Sequence, residues 1–279
     1  MADQITICIT HFNDTDFILN SLYCLQKLTK NPYKVIIRDN NSKAKNFKKL
    51  ENEIKQYPNV FLYKAEKGFN LKGSLAHGTA LNYLVNKIDT KYGVILDADC
   101  TFLMKHWDEI LIKELKDQVK IIGTQASPGG NKPMDFPLMF AILFETETLK
   151  HLKIDFRPKD ISQGQDSGHE LREKYLSAGF EGILLEAKNT RQYKEGPFAE
   201  ILGVEEYYLS GYPGIFACHF GRGATSGSAK YKKDTSFIYR IPKIGRLFRI
   251  MRGKKEIKKW CAICKAITNK QINKNGERI

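Results

Sequence analysis

Isoleucines at 5, 7 and 9 alternate with Thr6, Cys8 and Thr10, and this period of two predicts a strand from Ile5 to Thr10. After the loop His11-Phe12-Asn13-Asp14 the period lengthens. Phe17, Ile18, Leu22, Leu25 and Leu28 fall at helical spacing, which predicts a helix over 15–29 closed by Asn31-Pro32. Val35 to Asp39 reads as a second strand, Asn40-Asn41-Ser42 as turn and cap, 45–56 as a basic helix, and Val60 to Tyr63 as a third strand. A helix over 75–87, carrying Leu75, Leu81, Leu84 and Val85, precedes Gly93-Val94-Ile95-Leu96, a short apolar run that reads as a strand buried on both faces. Beyond residue 100 the pattern predicts a helix over 106–116 and strands at Val119 to Thr124, Leu138 to Phe144 and Gly182 to Glu186. A helix with Leu171, Tyr175 and Leu176 is stopped by Gly179, and Ile215 to Phe220 is a late apolar run. Strands that alternate with helices through crossover-length connections define an α/β fold with a mostly parallel sheet and helices on both faces.

Two long irregular stretches interrupt this order. Residues 155–168, with Pro158, Gly164 and Gly168, read as a functional loop ending in Gln165-Asp166. Gly221 to Ser228 is so rich in glycine that it reads as mobile backbone or a loop that hugs a ligand. Ser127-Pro128-Gly129-Gly130-Asn131 is a further loop. No Gly-x-Gly-x-x-Gly follows the first strand and no Gly-x-x-x-x-Gly-Lys-Ser/Thr occurs, so dinucleotide-binding and P-loop functions are disfavoured.

Charge changes the picture at one end only. From residue 240 onward thirteen basic residues face Glu256 and Glu277 alone, and they supply eleven of the net charge of +14 over 279 residues. The basic character belongs to an appendage. Six cysteines without a disulfide framework, the solitary pair Cys261-x-x-Cys264, and no signal-peptide pattern point to a cytoplasmic protein. The most apolar run, Phe136 to Phe144, is too short to span a bilayer.

The chemistry concentrates at Asp97-Ala98-Asp99, directly after the buried strand. In extended backbone residues i and i+2 share a side, so the two carboxylates are expected about 7 Å apart along the chain. Anions so close repel unless a cation joins them, and the carboxyl ends of strands in open α/β sheets are where ligands bind. A hard divalent ion, Mn²⁺ or Mg²⁺, sharing its other positions with substrate phosphates suits such a pair.

In this order the elements resemble a GT-A type glycosyltransferase, closest to the large inverting family 2, over roughly residues 4 to 225. Thr6 to Asn13 is similar to that family's opening strand and loop, and Asp39-Asn40-Asn41-Ser42 to its second-strand acid and polar turn. Asn70-x-x-Gly73 and Ala80-Leu81-Asn82 resemble the helix ahead of the metal motif, and Asp97-Ala98-Asp99 the Asp-x-Asp motif itself. Gln165-Asp166 stands where Glu-Asp is usual, and the Gln-x-x-Arg-Trp pattern of processive members is absent, so polymer synthesis is not expected. The resemblance implies a Rossmann-like GT-A domain over 1–230, divided into a nucleotide-sugar half (1–124) and an acceptor half (125–230), followed by a basic helical tail at 231–279.

It also implies roles. Asp99 and His219, with Asp97 beside them, are expected to hold the metal; a histidine satisfied in the core next to Cys218 is the plainer reading of His219. Thr10, Asn13, Asp39, Lys72, Asp97 and Asp99 are expected at a UDP- or GDP-linked donor, although Asp39 also suits helix capping with Asn41 or Ser42. Lys67 is a further basic residue near that loop, and His77 is expected to be structural. Asp166 is expected to be the general base, kept ionised by the N-terminus of the next helix; simple N-capping is the alternative.

In the tail, Pro242 fits a first helical position, Ile244, Leu247, Phe248 and Met251 share a face, and Ile257, Trp260, Cys261, Cys264 and Ile267 continue an apolar stripe. Such a helix is expected on an anionic membrane surface, which suits a lipid-linked or glycan acceptor at the cytoplasmic face. Packing on the enzyme's own body, or nucleic-acid binding with a modified DNA base as acceptor, are the alternatives. A sugar nucleotidyltransferase, which keeps the fold and changes the reaction, is one rival, and a non-catalytic lipid- or nucleic-acid-binding protein on the same scaffold is another.

Overall fold

The computed structural model describes residues 4–127, 132–225, 227–231, 239, 241 and 244–273. Pro242 and residues 128–131 lie outside that set. The opening alternation is realised in β1 (Ile5–His11): Ile5, Ile7 and Ile9 enter one apolar core and Cys8 the other. A sheet with both faces buried must be covered twice, and the helices supply the two covers. β1 is followed by α1 (Thr15–Leu28), β2 (Tyr33–Asp39), α2 (Ala44–Glu53), β3 (Val60–Lys64), α3 (Gly73–Asn86) and β4 (Tyr92–Leu96). Then come β5 (Cys100–Phe102), α4 (Trp107–Glu114), β6 (Val119–Thr124), β7 (Leu138–Glu145), α5 (Thr146–His151), α6 (Glu170–Ser177), β8 (Glu181–Asn189), β9 (Glu205–Tyr208), β10 (Ala217–His219) and α7 (Ile244–Asn273).

Ten strands among the described residues make one sheet in the order β3-β2-β1-β4-β7-β6-β8-β9-β10-β5. β3, β2, β1, β4, β6 and β8 run one way, and β7 runs against them between β4 and β6. The last three strands form an antiparallel ribbon that returns to β5, immediately after the Asp97/Asp99 turn. One face carries α1, α4 and α7 through Phe17, Leu22, Trp107, Leu111, Trp260 and Cys264. The other carries α3, α5 and α6 through Leu81, Leu84, Leu149, Leu171 and Tyr175.

Two expectations change. The single apolar stripe of the tail is two stripes. At about 100° per residue, positions 244, 247, 248 and 251 lie on the opposite side of the helix from 253, 256, 260, 264 and 268. The second set packs on the body. Trp260 is fully buried, with ring centroids 5.4, 6.4 and 6.1 Å from Phe17, Phe198 and Phe220, and Cys264 Sγ lies 3.7 Å from Cys218 Sγ. Thr268 donates to Cys24 Sγ, and Lys259 pairs with Glu200. Packing on the body thus accounts for the buried side of the tail. Similarly, α6 begins at Glu170, because Gly168, at a φ of 75°, first turns the chain. Asp166 is therefore not the N-cap of that helix.

Candidate active site

β4 ends at Leu96 and the chain turns at once: Cys100 N–H donates to the Asp97 carbonyl at 2.9 Å. The expected extended spacing of the two acids is thus replaced by a tight turn. The turn aims both carboxylates toward β10, and ligand atoms of Asp97, Asp99 and His219 all lie within 4.8 Å of one another. The cross-strand register explains why His219 is there. β10 sets His219 opposite Cys100 on one side and opposite Glu205 on the other. His219 Nε2 lies 3.2 Å from Asp99 Oδ1, and His219 Nδ1 lies 3.5 Å from Glu205 Oε2. Glu205 in turn accepts from Ser127 (2.6 Å) and Tyr207 (2.7 Å).

This cluster is buried and short of partners. Asp97 Oδ1 and His219 Nδ1 are buried with no hydrogen bond among the described residues; His77 Nε2 stands 3.4 Å from Asp97 Oδ1, outside bonding geometry. Burial pushes the Asp97 carboxyl above its usual range against the pull of His77 and His219. Asp99 is as deeply buried, but His219 and the Gly223 N–H (2.8 Å) hold it below that range. Burial opposes charge on His219, yet Asp99 and Glu205 outweigh it and push the imidazole up to about 10. Two carboxylates and an imidazole with an unpartnered buried oxygen are a donor set that fits Mn²⁺ or Mg²⁺. Gly223 belongs to the glycine-rich segment, and a Cβ there would sit 2.9 Å from the Asp99 side chain, so only glycine lets the segment lie against that carboxylate.

A cavity of about 430 Å³ opens beside the turn. Of the residues expected at the donor, Thr10, Lys72, Asp97 and Asp99 line it. Asn13 and Asp39 do not. Asp39 is fully buried and accepts from the His11 ring (2.8 Å) and Ser42 N–H (3.2 Å), while Asn13 accepts from Lys43 N–H and Asn46, both at 2.9 Å. They fix the loop after β1 against the turn after β2. The cavity also takes Phe12, Asp14, Leu71 and His77, which sequence reasoning left in loops or assigned to structure. Phe12 and Leu71 are large apolar side chains left exposed there, the one signal that could have found them. Lys230 was missed as well. Its amine is buried with no hydrogen-bond partner among the described residues, 3.4 Å from the Phe220 ring centroid, and burial lowers it to about 7 against the attraction of Asp99 and Glu256.

Asp166 is linked to the Asp97, Asp99 and His219 cluster through Lys132, whose amine lies 4.8 Å from the Phe140 ring centroid, and that ring in turn lies 4.5 Å from the His219 ring. Gly73, Ala76 and His77 of α3, with Lys72 just ahead of it, line the cavity, and Ser74 donates to Asp166 at 2.5 Å. Lys132 donates to the same carboxylate at 2.8 Å and Ser167 N–H at 2.9 Å. Burial raises Asp166, but Lys132 and Ser74 overcome it and hold the group down at about 2. These partners, and not the next helix, keep it ionised. Gln165 accepts from the Lys159 (2.9 Å) and Asp160 (2.7 Å) N–H groups and so closes the loop ahead of Asp166. Asn82, further along α3, is bound to Asp155 and Phe156 at the start of that loop.

An α/β sheet with a carboxylate turn at the end of β4 and an antiparallel return strand carrying a histidine is a GT-A arrangement. The chain belongs to glycosyl transferase family 2, whose sequence model matches residues 6–168. Among solved structures it is similar to the mannosyltransferase PcManGT from Pyrobaculum calidifontis, in complex with GDP-Man and Mn²⁺, with a TM-score of 0.54 and 14% identity over 96% of this chain and 74% of that one. It is also similar to S. aureus TarS, with a TM-score of 0.50 and 13% identity over 66% of this chain and 35% of that one. GalNAc-T7 with UDP, GalNAc and Mn²⁺ gives a TM-score of 0.50 and 14% identity over 66% and 42%. These likenesses show the GT-A fold. A search of curated proteins finds no match.

Proposed function

We propose that the protein is a metal-dependent inverting glycosyltransferase that moves a sugar from a UDP- or GDP-linked donor to a hydroxyl of a glycan or lipid-linked acceptor at the cytoplasmic face of a membrane. The observation that carries the reading is the meeting of Asp97, Asp99 and His219 beside a cavity lined by Asp97, Asp99 and the start of α3, whose Ser74 also holds Asp166. In this proposal residues 1–124 bind the nucleotide sugar, 125–230 the acceptor, and 231–279 form a basic helical extension.

Asp97, Asp99 and His219 would hold Mn²⁺ or Mg²⁺, which supplies charge neutralisation for the departing diphosphate. Thr10 and Lys72, which line the cavity, would meet ribose and phosphate oxygens, and exposed Phe12 would offer a ring for the base. Asn13 and Asp39 act one step back by fixing the loops that carry Phe12 and Asn40. The acceptor oxygen attacks the anomeric carbon from the side opposite the diphosphate. As the new C–O bond forms, the bond to the diphosphate breaks and its electron pair leaves with the nucleotide, inverting the centre. Asp166 takes the acceptor proton. Its low basicity in the Lys132 pair means that Lys132 must release it first, so a donor phosphate that draws Lys132 away would switch the base on.

A thermal-shift panel tests the reading. UDP, GDP, CMP and dTDP are each added with Mn²⁺, with Mg²⁺ and with chelator. One nucleotide is expected to stabilise the protein only with metal, and Asp99→Ala is expected to abolish the shift. Equal shifts in chelator would overturn the metal-dependent reading.

A further inference from the structure

The two apolar stripes of α7 have different fates. The side at 253, 256, 260, 264 and 268 is buried against α1 and the ribbon. The opposite side of the first two turns is bare: Ile244, Leu247, Phe248 and Met251 are 51%, 58%, 39% and 58% exposed. Further along this outward side stand Lys254, Lys255 and Lys258, all exposed. The only acid in α7 is Glu256, which faces inward and is bound by Tyr231 and Arg252. The outward side therefore presents an apolar end followed by cations, with no carboxylate among them.

We infer that this outward side of α7, residues 244–258, docks on an anionic phospholipid bilayer, with Ile244, Leu247, Phe248 and Met251 entering the acyl boundary and Lys254, Lys255 and Lys258 meeting the headgroups. Hydrocarbon side chains that fill two turns have no counterpart on a phosphate backbone, whereas the adjoining cations complement an anionic surface. Two turns extend about 12 Å at 1.5 Å per residue, far short of the roughly 30 Å hydrocarbon core, so this apolar stretch cannot span a bilayer. No helix among the described residues is long and apolar enough to cross a membrane. The helix thus lies in the interface, and its Trp260 side fastens the catalytic body above it.

Flotation of the full-length protein with phosphatidylcholine vesicles, with and without phosphatidylglycerol, tests this at low and high salt. The wild type is expected to float with anionic vesicles at low salt and to be largely released at high salt. The Leu247→Glu/Phe248→Glu variant is expected to lose more than about tenfold in partitioning, since both apolar insertion and charge now oppose it. Lys254→Ser/Lys255→Ser/Lys258→Ser is expected to lose about fivefold per charge on anionic vesicles. Both variants replace solvent-facing side chains and are expected to keep the wild-type unfolding temperature. A wild type that stays with the soluble fraction at low salt would overturn the proposal, as would a Leu247→Glu/Phe248→Glu variant that floats normally. Short duplex DNA that binds in a tail-dependent way and displaces the protein from vesicles would assign the surface to nucleic acid instead. The assay reads lipid binding and not turnover, so its failure leaves the transferase reading untouched.

Discussion

Asp97 and Asp99 lie buried at the end of β4, with an unpartnered oxygen and a neighbouring imidazole. Asp166 is half exposed and accepts from Lys132, Ser74 and the Ser167 N–H. The first centre is incomplete in a way that another charge would mend. The second is complete in a way that must be undone before it can accept a proton. A static carboxylate count would rate them alike; their partners separate the proposed cation site from the proposed base.

The comparison breaks most visibly at Asp99. Asp99→Ala is expected to cut transfer by about a thousandfold or more and to remove any Mn²⁺-induced thermal shift, measured in parallel. Asp166→Asn is expected to lower kcat by about 10²–10⁴ while the donor KM stays within a few fold, because the amide keeps the Ser74 contact but accepts no proton. Loss of donor binding in that variant would place Asp166 on the donor side after all. Glu205→Gln sharpens the first centre. Glu205 is expected to orient His219, so the variant should weaken Mn²⁺ binding by about 10–100-fold in a direct metal titration, with the fold intact.

Lys132→Met addresses the second centre, with the smallest effect. Lys132 holds the Asp166 pKa down at about 2, so without it the acid limb of the pH–rate profile is expected to move up toward the ordinary carboxylate value near 4. The stability effect has a definite sign. A depressed folded-state pKa stabilises the protein above the unfolded value, and that contribution is lost as pH falls through about 2. The variant should therefore be slightly less stable at neutral pH and converge on the wild type in strong acid. The gap should be under about 1 kcal/mol, since the paired side chains are 39% and 45% exposed and solvent screens them.

The sheet was readable wherever one period dominated. Ile5, Ile7 and Ile9 alternate cleanly, and Val94 to Leu96 is a run that only a doubly covered strand would carry. The Asp-x-Asp pair stood out locally as acids after a core strand, whereas His219 was expected beside it only through the family resemblance; the fold brings the three together. Glu205 and Lys230 were not visible, because nothing local marks them. Glu205 matters through the register of β9 on β10, and Lys230 through the fold of a segment against Asp99. Asp39 was expected at the donor as a strand-end acid; its bond to His11, 28 residues away, exists only in the folded sheet. In the tail, spacing alone reported apolar positions; the pocket of Phe17, Phe198 and Phe220 chose which of them to bury.

The close approach of α3 to the loop before Asp166 has a geometric consequence. A Cβ on Gly78 would stand 2.3 Å from the Phe156 carbonyl oxygen, so the two backbones touch with no side chain between them. The helix that lines the cavity and the segment that leads to Asp166 are therefore spaced by a missing carbon atom. Gly78 acts as a gauge, because its missing side chain sets how closely α3 and that loop can stand.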